Sequence, residues 1–372
     1  MKIILSGGGT AGHVNPAIAI AKEIRKINPK NEVLFIGRQG GAENELIANA
    51  AFPYTTLKVN GLKRKITLDN VDAIYRAIKA KSEAKKIIKS FSPDAIIGTG
   101  GYVCWPVISA GHSLNVPIFI HESNICPGLT TKLLATKCDR VFLCSEESYG
   151  LLSPKAKYSV VGNPVQREFF TTKRENSRRR LGLSDDDILI LSFGGSLGAE
   201  RLNEEIIKTM YAYSAKKKNV VHIHATGKAE FEKYKDVAFT EKSRCKILPY
   251  ISEMPTYMTA ADIAICRAGA MTLAEISATG TAAILIPSPN VSDNHQYKNA
   301  SILQEKNAAI VIEEKDLTSD YLSKITDRLA SHPNERNRLS KCIELFAKRN
   351  VASTILNEVN GVIKKRQNSP FL

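Results

Sequence analysis

KIILSGGGTAGHVNPAIAIAKEI, Lys2–Ile24, runs from a short unbroken apolar segment into a glycine-rich turn and then into a stretch with helical spacing. ILILSFGGSLGAERLNEEIIKTM, Ile188–Met210, repeats that plan in the second half of the chain. A strand that is apolar at every position, without polar alternation, belongs to a parallel sheet covered on both faces. Outward from these two stretches, similar runs recur at Val33–Gly37, Ala95–Gly98, Pro117–His121, Arg140–Cys144 and Tyr158–Gly162. They recur again at Val220–Ala225, Cys245–Leu248, Ile263–Cys266, Ala282–Pro287 and Ala308–Glu313. Helical segments separate them, which implies right-handed βαβ units. The expected fold is α/β: two Rossmann-like, doubly wound parallel-sheet domains facing across a cleft.

The boundary is expected at Gly162-Asn163-Pro164, where a strand ends and proline stops regular structure. This gives a first domain over 1–163 and a second over 164–349. The amphipathic stretch at about 350–366 has no strand after it and is expected to pack back on the first domain, with Arg366–Leu372 frayed. Seven cysteines, with no CxxC pair, read as reduced core residues. Met1–Leu5 enters glycines before a secretory core could form, and no apolar run approaches the ~20 residues of a membrane span.

Glycines let backbone approach a ligand, and helix N-termini favour anions. Gly7, Gly9 and Gly12 stand at GxGxxG spacing, but the second strand ends in Gly37-Arg38 rather than an acidic residue. An arginine there suits a 2′-phosphate, so an NADP-dependent oxidoreductase stays open at this stage, beside plain strand–helix packing. His13 closes the turn with a side chain able to exchange protons near neutral pH, as a general base or as a cap of the turn. Gly98–Tyr102 forms a third turn on the same edge. In the second domain a helix starting near Met271 has an N-terminus suited to a diphosphate, and Glu275 suits a ribose diol; Thr272 and Glu275 equally fit a capping box. Asp293-Asn294-His295-Gln296 offers short polar groups for sugar hydroxyls. Asp185-Asp186-Asp187 reads as a solvated turn, and His222-Ile223-His224 as core or strand-end histidines rather than metal ligands.

GGGTAGHVNPAIAIA at Gly7–Ala21, GTGGY at Gly98–Tyr102, HESN at His121–Asn124, GNP at Gly162–Pro164, FGGSLGA at Phe193–Ala199, CRAGAMTLAE at Cys266–Glu275 and HQ at His295-Gln296 stand in a fixed order. In these motifs the chain resembles the MurG family of GT-B glycosyltransferases. These are the UDP-N-acetylglucosamine:N-acetylmuramyl-(pentapeptide) pyrophosphoryl-undecaprenol N-acetylglucosaminyltransferases. The resemblance covers about residues 1–360. It implies inverting transfer of N-acetylglucosamine to the C4 hydroxyl of lipid I, giving lipid II, without cofactor or metal. It implies His13 as base, with Thr10, Ala11 and Gly12 lining the sugar and acceptor side, and Asn124 and Gln296 on the sugar hydroxyls. Ser196, Ala270, Met271 and Thr272 would meet the diphosphate, in a segment continuing through Leu273 and Ala274. Ile251 would read uracil through its backbone, Arg267 would lie beside the base, and Glu275 would bind the ribose. The family often has a donor-contacting arginine directly after GNPV; here Gln166 and then Arg167 follow, and the resemblance leaves open which of them, if either, takes that contact. Relatives by fold, UDP-N-acetylglucosamine 2-epimerases, and a non-catalytic nucleotide-sugar binder remain alternatives.

The formal net charge is +15. Lys58, Lys63, Arg64, Lys65, Arg76, Lys79, Lys81, Lys85, Lys86 and Lys89 crowd one segment, interleaved with Ile74 and Ile78. Such a surface suits an anionic membrane, or is the solvated face of an ordinary helix. Without a nucleic-acid module, nucleic acid is not an expected partner. A lipid-linked substrate implies a peripheral protein on the cytoplasmic side of the bacterial plasma membrane, with Lys63, Arg64, Lys65, Ile74 and Ile78 facing it.

Overall fold

The computed structural model describes residues 1–41, 43–60, 68–195, 199–239 and 243–368, and, within these, all side chains but those of 68–72, 74 and 292. It divides into two compact units, Met1–Gln166 together with the segment from Asn350, and Arg167–Arg349.

The first unit carries β1 (Lys2–Ser6), β2 (Glu32–Arg38), β3 (Tyr54–Leu57), β4 (Ala95–Gly98), β5 (Ile118–Glu122), β6 (Arg140–Leu143) and β7 (Tyr158–Val160). Their order is β3-β2-β1-β4-β5-β6-β7, with every pairing parallel. Side chains alternate between two buried faces. Ile3, Leu5, Phe35, Phe119 and Phe142 pack with helix Ala11–Ile27 and helix Val351–Asn368. Ile4, Ile36, Ile96, Ile120 and Val141 pack with Ala80, Ala84 and Ile88 of helix Leu68–Phe91 and Val107 and Ile108 of helix Cys104–Ser113. The second unit carries β8 (Ile188–Phe193), β9 (Val220–Ala225), β10 (Arg244–Leu248), β11 (Ile263–Cys266), β12 (Ala282–Leu285) and β13 (Ile310–Val311). Their order is β10-β9-β8-β11-β12-β13, again wholly parallel. Both sheets therefore reverse direction of winding beside their first strand, between β1 and β4 and between β8 and β11. Ligands of open α/β sheets bind at the carboxyl ends of the strands at that switch point.

Several expectations are corrected. β3 was not expected, because Tyr54-Thr55-Thr56-Leu57 lies at the sheet edge, half exposed, and carries no continuous apolar run. The first helix begins at Ala11, within the glycine-rich turn rather than after it. Proline removes one donor within it, but the turn ahead of Pro16 is held from outside, where Thr99 Oγ1 donates to the His13 carbonyl at 2.6 Å. Arg366–Asn368 are not frayed: they continue the last helix, and Arg366 pairs with Asp139 at 2.5 Å. Asp187 is not part of a solvated turn. It is 4% exposed, bonded to Arg244 and to the Ser184 N–H at 2.7 Å. Burial alone would raise its pKa, but these partners hold it below the usual value.

Candidate active site

At the first switch point the turns after β1 and β4 lock together. Thr99 N–H donates to Ser6 O at 2.8 Å and Gly8 N–H to Gly100 O at 3.3 Å. A Cβ on Gly7 would stand 2.2 Å from Thr99 Oγ1, and one on Gly101 (φ +83°) 2.1 Å from Gly8 O. These glycines are dictated by the packing of one turn on the other. The carboxyl of Glu43, 2% exposed, accepts from Arg38 N–H at 3.0 Å and Gly9 N–H at 3.3 Å. Gly9 N–H, one of the donors that a GxGxxG turn would offer a dinucleotide diphosphate, is thus already taken by an acidic group. That weighs against the NADP reading.

His13 lies in the first turn of helix Ala11–Ile27, half-buried, with Nδ1 3.2 Å from Thr99 O. A carbonyl only accepts, so Nδ1 carries the proton and Nε2 the lone pair of the neutral ring. Thr10 and Gly12 are exposed beside it and Ala11 half-buried.

Near the end of β5, His121 is fully buried and donates from Nε2 to Gly162 O at 2.9 Å, which ties HESN to GNP. Burial lowers its pKa. Asn163 Nδ2 donates to Ser123 O at 3.1 Å. Gln166 accepts from Lys22 Nζ at 2.6 Å inside the first unit, whereas Arg167 is exposed at the start of the second.

In the second unit, parallel strands bring Ile251, Arg267, Glu275 and Gln296 to the carboxyl side of one sheet. Helix Ala270–Thr279 starts from Gly269, which has no side-chain cap. The capping box is therefore absent: Thr272 and Glu275 lie inside the helix. Met271 and Leu273 are buried, so only their backbone can meet a ligand, and Thr272 and Ala274 are half-buried. The first-turn N–H groups have no acceptor within the helix. Glu275 is 8% exposed, and burial pushes its carboxyl up to about 8. Arg267 is held by Glu314 and by Ile286 O at 3.2 Å. A cavity of about 540 Å³, lined in part by Pro287, Asn294, Tyr297 and Glu314, adjoins that pair. Gln296 accepts from Ser288 N–H at 2.9 Å, and the backbone kinks ahead of it at Asp293 (φ +53°) and Asn294 (φ +50°). Ile251 is buried, 4% exposed.

His222 and His224 are core residues bridged by Ser192 Oγ at 2.8 and 2.9 Å, with pKa values lowered by burial to about 3 and about 4. Among the described residues no group of three metal-ligating side chains converges. Ser196 and Lys63–Lys65 lie outside the described residues, as does the side chain of Ile74; Ile78 is 60% exposed. Sequence reasoning missed Glu43, Thr99 and Glu122. Each acts on a turn through contacts in the folded chain; Thr99 and Glu122 stand inside the GTGGY and HESN motifs, which do not show what either residue does there.

Two family models match: the glycosyltransferase family 28 N-terminal domain over residues 3–143 and the C-terminal domain over 189–355. The UDP-N-acetylglucosamine–N-acetylmuramyl-(pentapeptide) pyrophosphoryl-undecaprenol N-acetylglucosamine transferase of Acetivibrio thermocellus is 38% identical over 98% of this chain and 99% of its own. That of Thermoanaerobacter sp. is 41% identical over 97% and 100%. The crystal structure of MurG from Acinetobacter baumannii superposes with a TM-score of 0.73 at 25% identity, covering 97% of this chain and 99% of that one. A UDP-N-acetylglucosamine 2-epimerase from Neisseria meningitidis, at 13% identity and a TM-score of 0.64, shares the fold. With both domain models matched in order and near-complete relatives at this identity, the chain belongs to glycosyltransferase family 28, GT-B in fold, among its UDP-N-acetylglucosamine–N-acetylmuramyl-(pentapeptide) pyrophosphoryl-undecaprenol N-acetylglucosamine transferases.

Proposed function

We propose that this chain transfers N-acetylglucosamine from UDP-N-acetylglucosamine to the C4 hydroxyl of lipid I, with inversion, forming lipid II. The observation that carries the catalytic reading is His13, fixed by Thr99 O in the tautomer whose Nε2 accepts a proton. Nε2 takes the proton of the C4 hydroxyl as that oxygen attacks C1 of the donor sugar. The bond from C1 to the UDP oxygen breaks, and its electron pair leaves with the diphosphate. The N-terminus of helix Ala270–Thr279 meets that charge, Glu275 receives the ribose hydroxyls, and Asn124 and Gln296 bind the sugar. The backbone of Ile251 reads the uracil. The deciding assay offers UDP-N-acetylglucosamine and a lipid I analogue and scores the disaccharide product. Donor consumption without lipid acceptor, or NADPH binding without UDP binding, would overturn the reading.

The acceptor's lipid requires contact with a bilayer. No helix of the described residues is long and apolar enough to cross one. Helix Leu68–Phe91 exposes Tyr75 (67%) and Ile78 (60%) beside exposed Arg76, Lys79, Lys86 and Lys89. This supports peripheral docking on an anionic leaflet, at about 1 kcal/mol per basic residue. Reversing Lys79 and Lys86 to glutamate should lower partitioning onto phosphatidylglycerol vesicles; unchanged partitioning would defeat this surface.

A further inference from the structure

We propose that Glu122 is the positioning residue for sugar recognition by Asn124, setting which end of its amide meets the donor; this rests on the function proposed above. Glu122 ends β5 and is 4% exposed. Its two oxygens take four hydrogen bonds. Oε1 accepts from Asn124 N–H at 3.0 Å and from Asn124 Nδ2 at 3.2 Å. Oε2 accepts from Gly128 N–H at 3.0 Å and Thr131 Oγ1 at 2.7 Å. A buried carboxylate needs this many donors, and it can only accept. Asn124 is thereby locked with its NH₂ turned inward, and Oδ1 takes no hydrogen bond from any described residue. The loop thus offers the sugar an acceptor for a hydroxyl proton. With the amide reversed, it would offer donors instead. Thr131, on helix Leu129–Leu134, and Gly128 at its start anchor the same carboxyl to the body of the first unit.

Glu122→Gln keeps the shape but turns one acceptor into a donor. Placed against Asn124, the new NH₂ forces that side-chain amide to flip and leaves the Asn124 N–H facing a donor; placed at Oε2, it faces the Gly128 N–H and releases the loop. The expected result is a KM for UDP-N-acetylglucosamine raised about 10-fold, with the Kd of UDP alone within 2-fold of the unaltered protein. If Glu122 acts through Asn124, adding Glu122→Gln to Asn124→Ala changes KM by less than 2-fold, because coupled residues are not additive. Asn124→Asp sets two carboxylates together and should lose most transfer. Glu122→Gln added to it supplies an NH₂ for the aspartate and should recover at least 10-fold of the loss. A merely structural glutamate would make that double variant worse than Asn124→Asp alone. Additive effects, absence of rescue, or an unchanged KM in Glu122→Gln overturns the role of Glu122 while the function stands. Failure of the unaltered protein to transfer N-acetylglucosamine overturns both. Should Glu122→Gln alone melt out, the rescue arm still decides.

Discussion

The two units open alike, each with an apolar strand, a glycine turn, a helix and the same strand order, yet they spend their turns differently. In the first unit the turn amides are used internally, by Gly100 O, Ser6 O and the Glu43 carboxyl, and what faces outward is a side chain, His13. In the second, helix Ala270–Thr279 starts from Gly269 without a side-chain cap, and a buried carboxyl, Glu275, sits raised to about 8. On the roles proposed above, strand-end turns therefore carry a proton acceptor in one unit and meet an anion and a diol in the other. Glycine spacing does not distinguish these outcomes, because the acceptors that consume the amides come from other segments.

The sharpest way to break this contrast is to remove the side chain on which the first unit's role depends. His13→Ala should lower turnover by about 10²-fold or more while UDP Kd stays within 2-fold. Near-normal turnover would take His13 out of the base's place, and an equal loss of UDP binding would erase the division of labour. The next test compares glycines. Gly101→Ala places Cβ against the Gly8 carbonyl and should cost roughly 3 kcal/mol in stability. Gly195→Ala, where a Cβ meets nothing within 4 Å among the described residues, carries only the cost of φ +98°, about 1 kcal/mol. Equal melting shifts for the two would mean that turn-on-turn packing does not set the first site.

The smallest expected effect is a pH signature of the second unit. His222 and His224 titrate from 6.5 when unfolded to about 3 and about 4 when folded, so the unfolded state holds more protons between those values. Stability from them is lost as pH falls below 6.5. Glu275 runs the other way: raised from 4.5 to about 8, it holds a proton in the folded state, and its contribution declines as pH rises through that window. Two protons against one leave stability rising by about 1 kcal/mol per pH unit from 4.5 to 6.5, then falling at a similar rate towards 8. Thermal melts at pH 5, 6.5 and 8 should peak at the middle value, and Glu275→Gln should abolish the decline above it. A flat profile above pH 6.5 would show that Glu275 is not held as a buried acid.

Much of the fold was legible because parallel strands covered on both faces must be apolar at every position. Ala95–Gly98, Val220–Ala225 and Ile263–Cys266 were delimited to the residue. The edge strand Tyr54–Leu57 escaped because an edge pays little desolvation and tolerates threonine. Of the site, His13 and Glu275 were visible from their places relative to strand ends. The roles of Glu43, Glu122 and Thr99 were not, since an acidic residue or threonine near a strand end looks like any solvated one until burial and its hydrogen-bond partners are known.

By itself, then, the sequence determined two parallel α/β units, their glycine turns and the residues brought to the strand ends, because hydrophobic periodicity and backbone sterics are local. Only the tertiary structure decided which turn amides the fold itself takes, which nitrogen of His13 holds the lone pair and which way Asn124 points. Those depend on hydrogen bonds from Glu43, Thr99 and Glu122, and a buried donor or acceptor takes its partner from whatever the fold brings within about 3 Å.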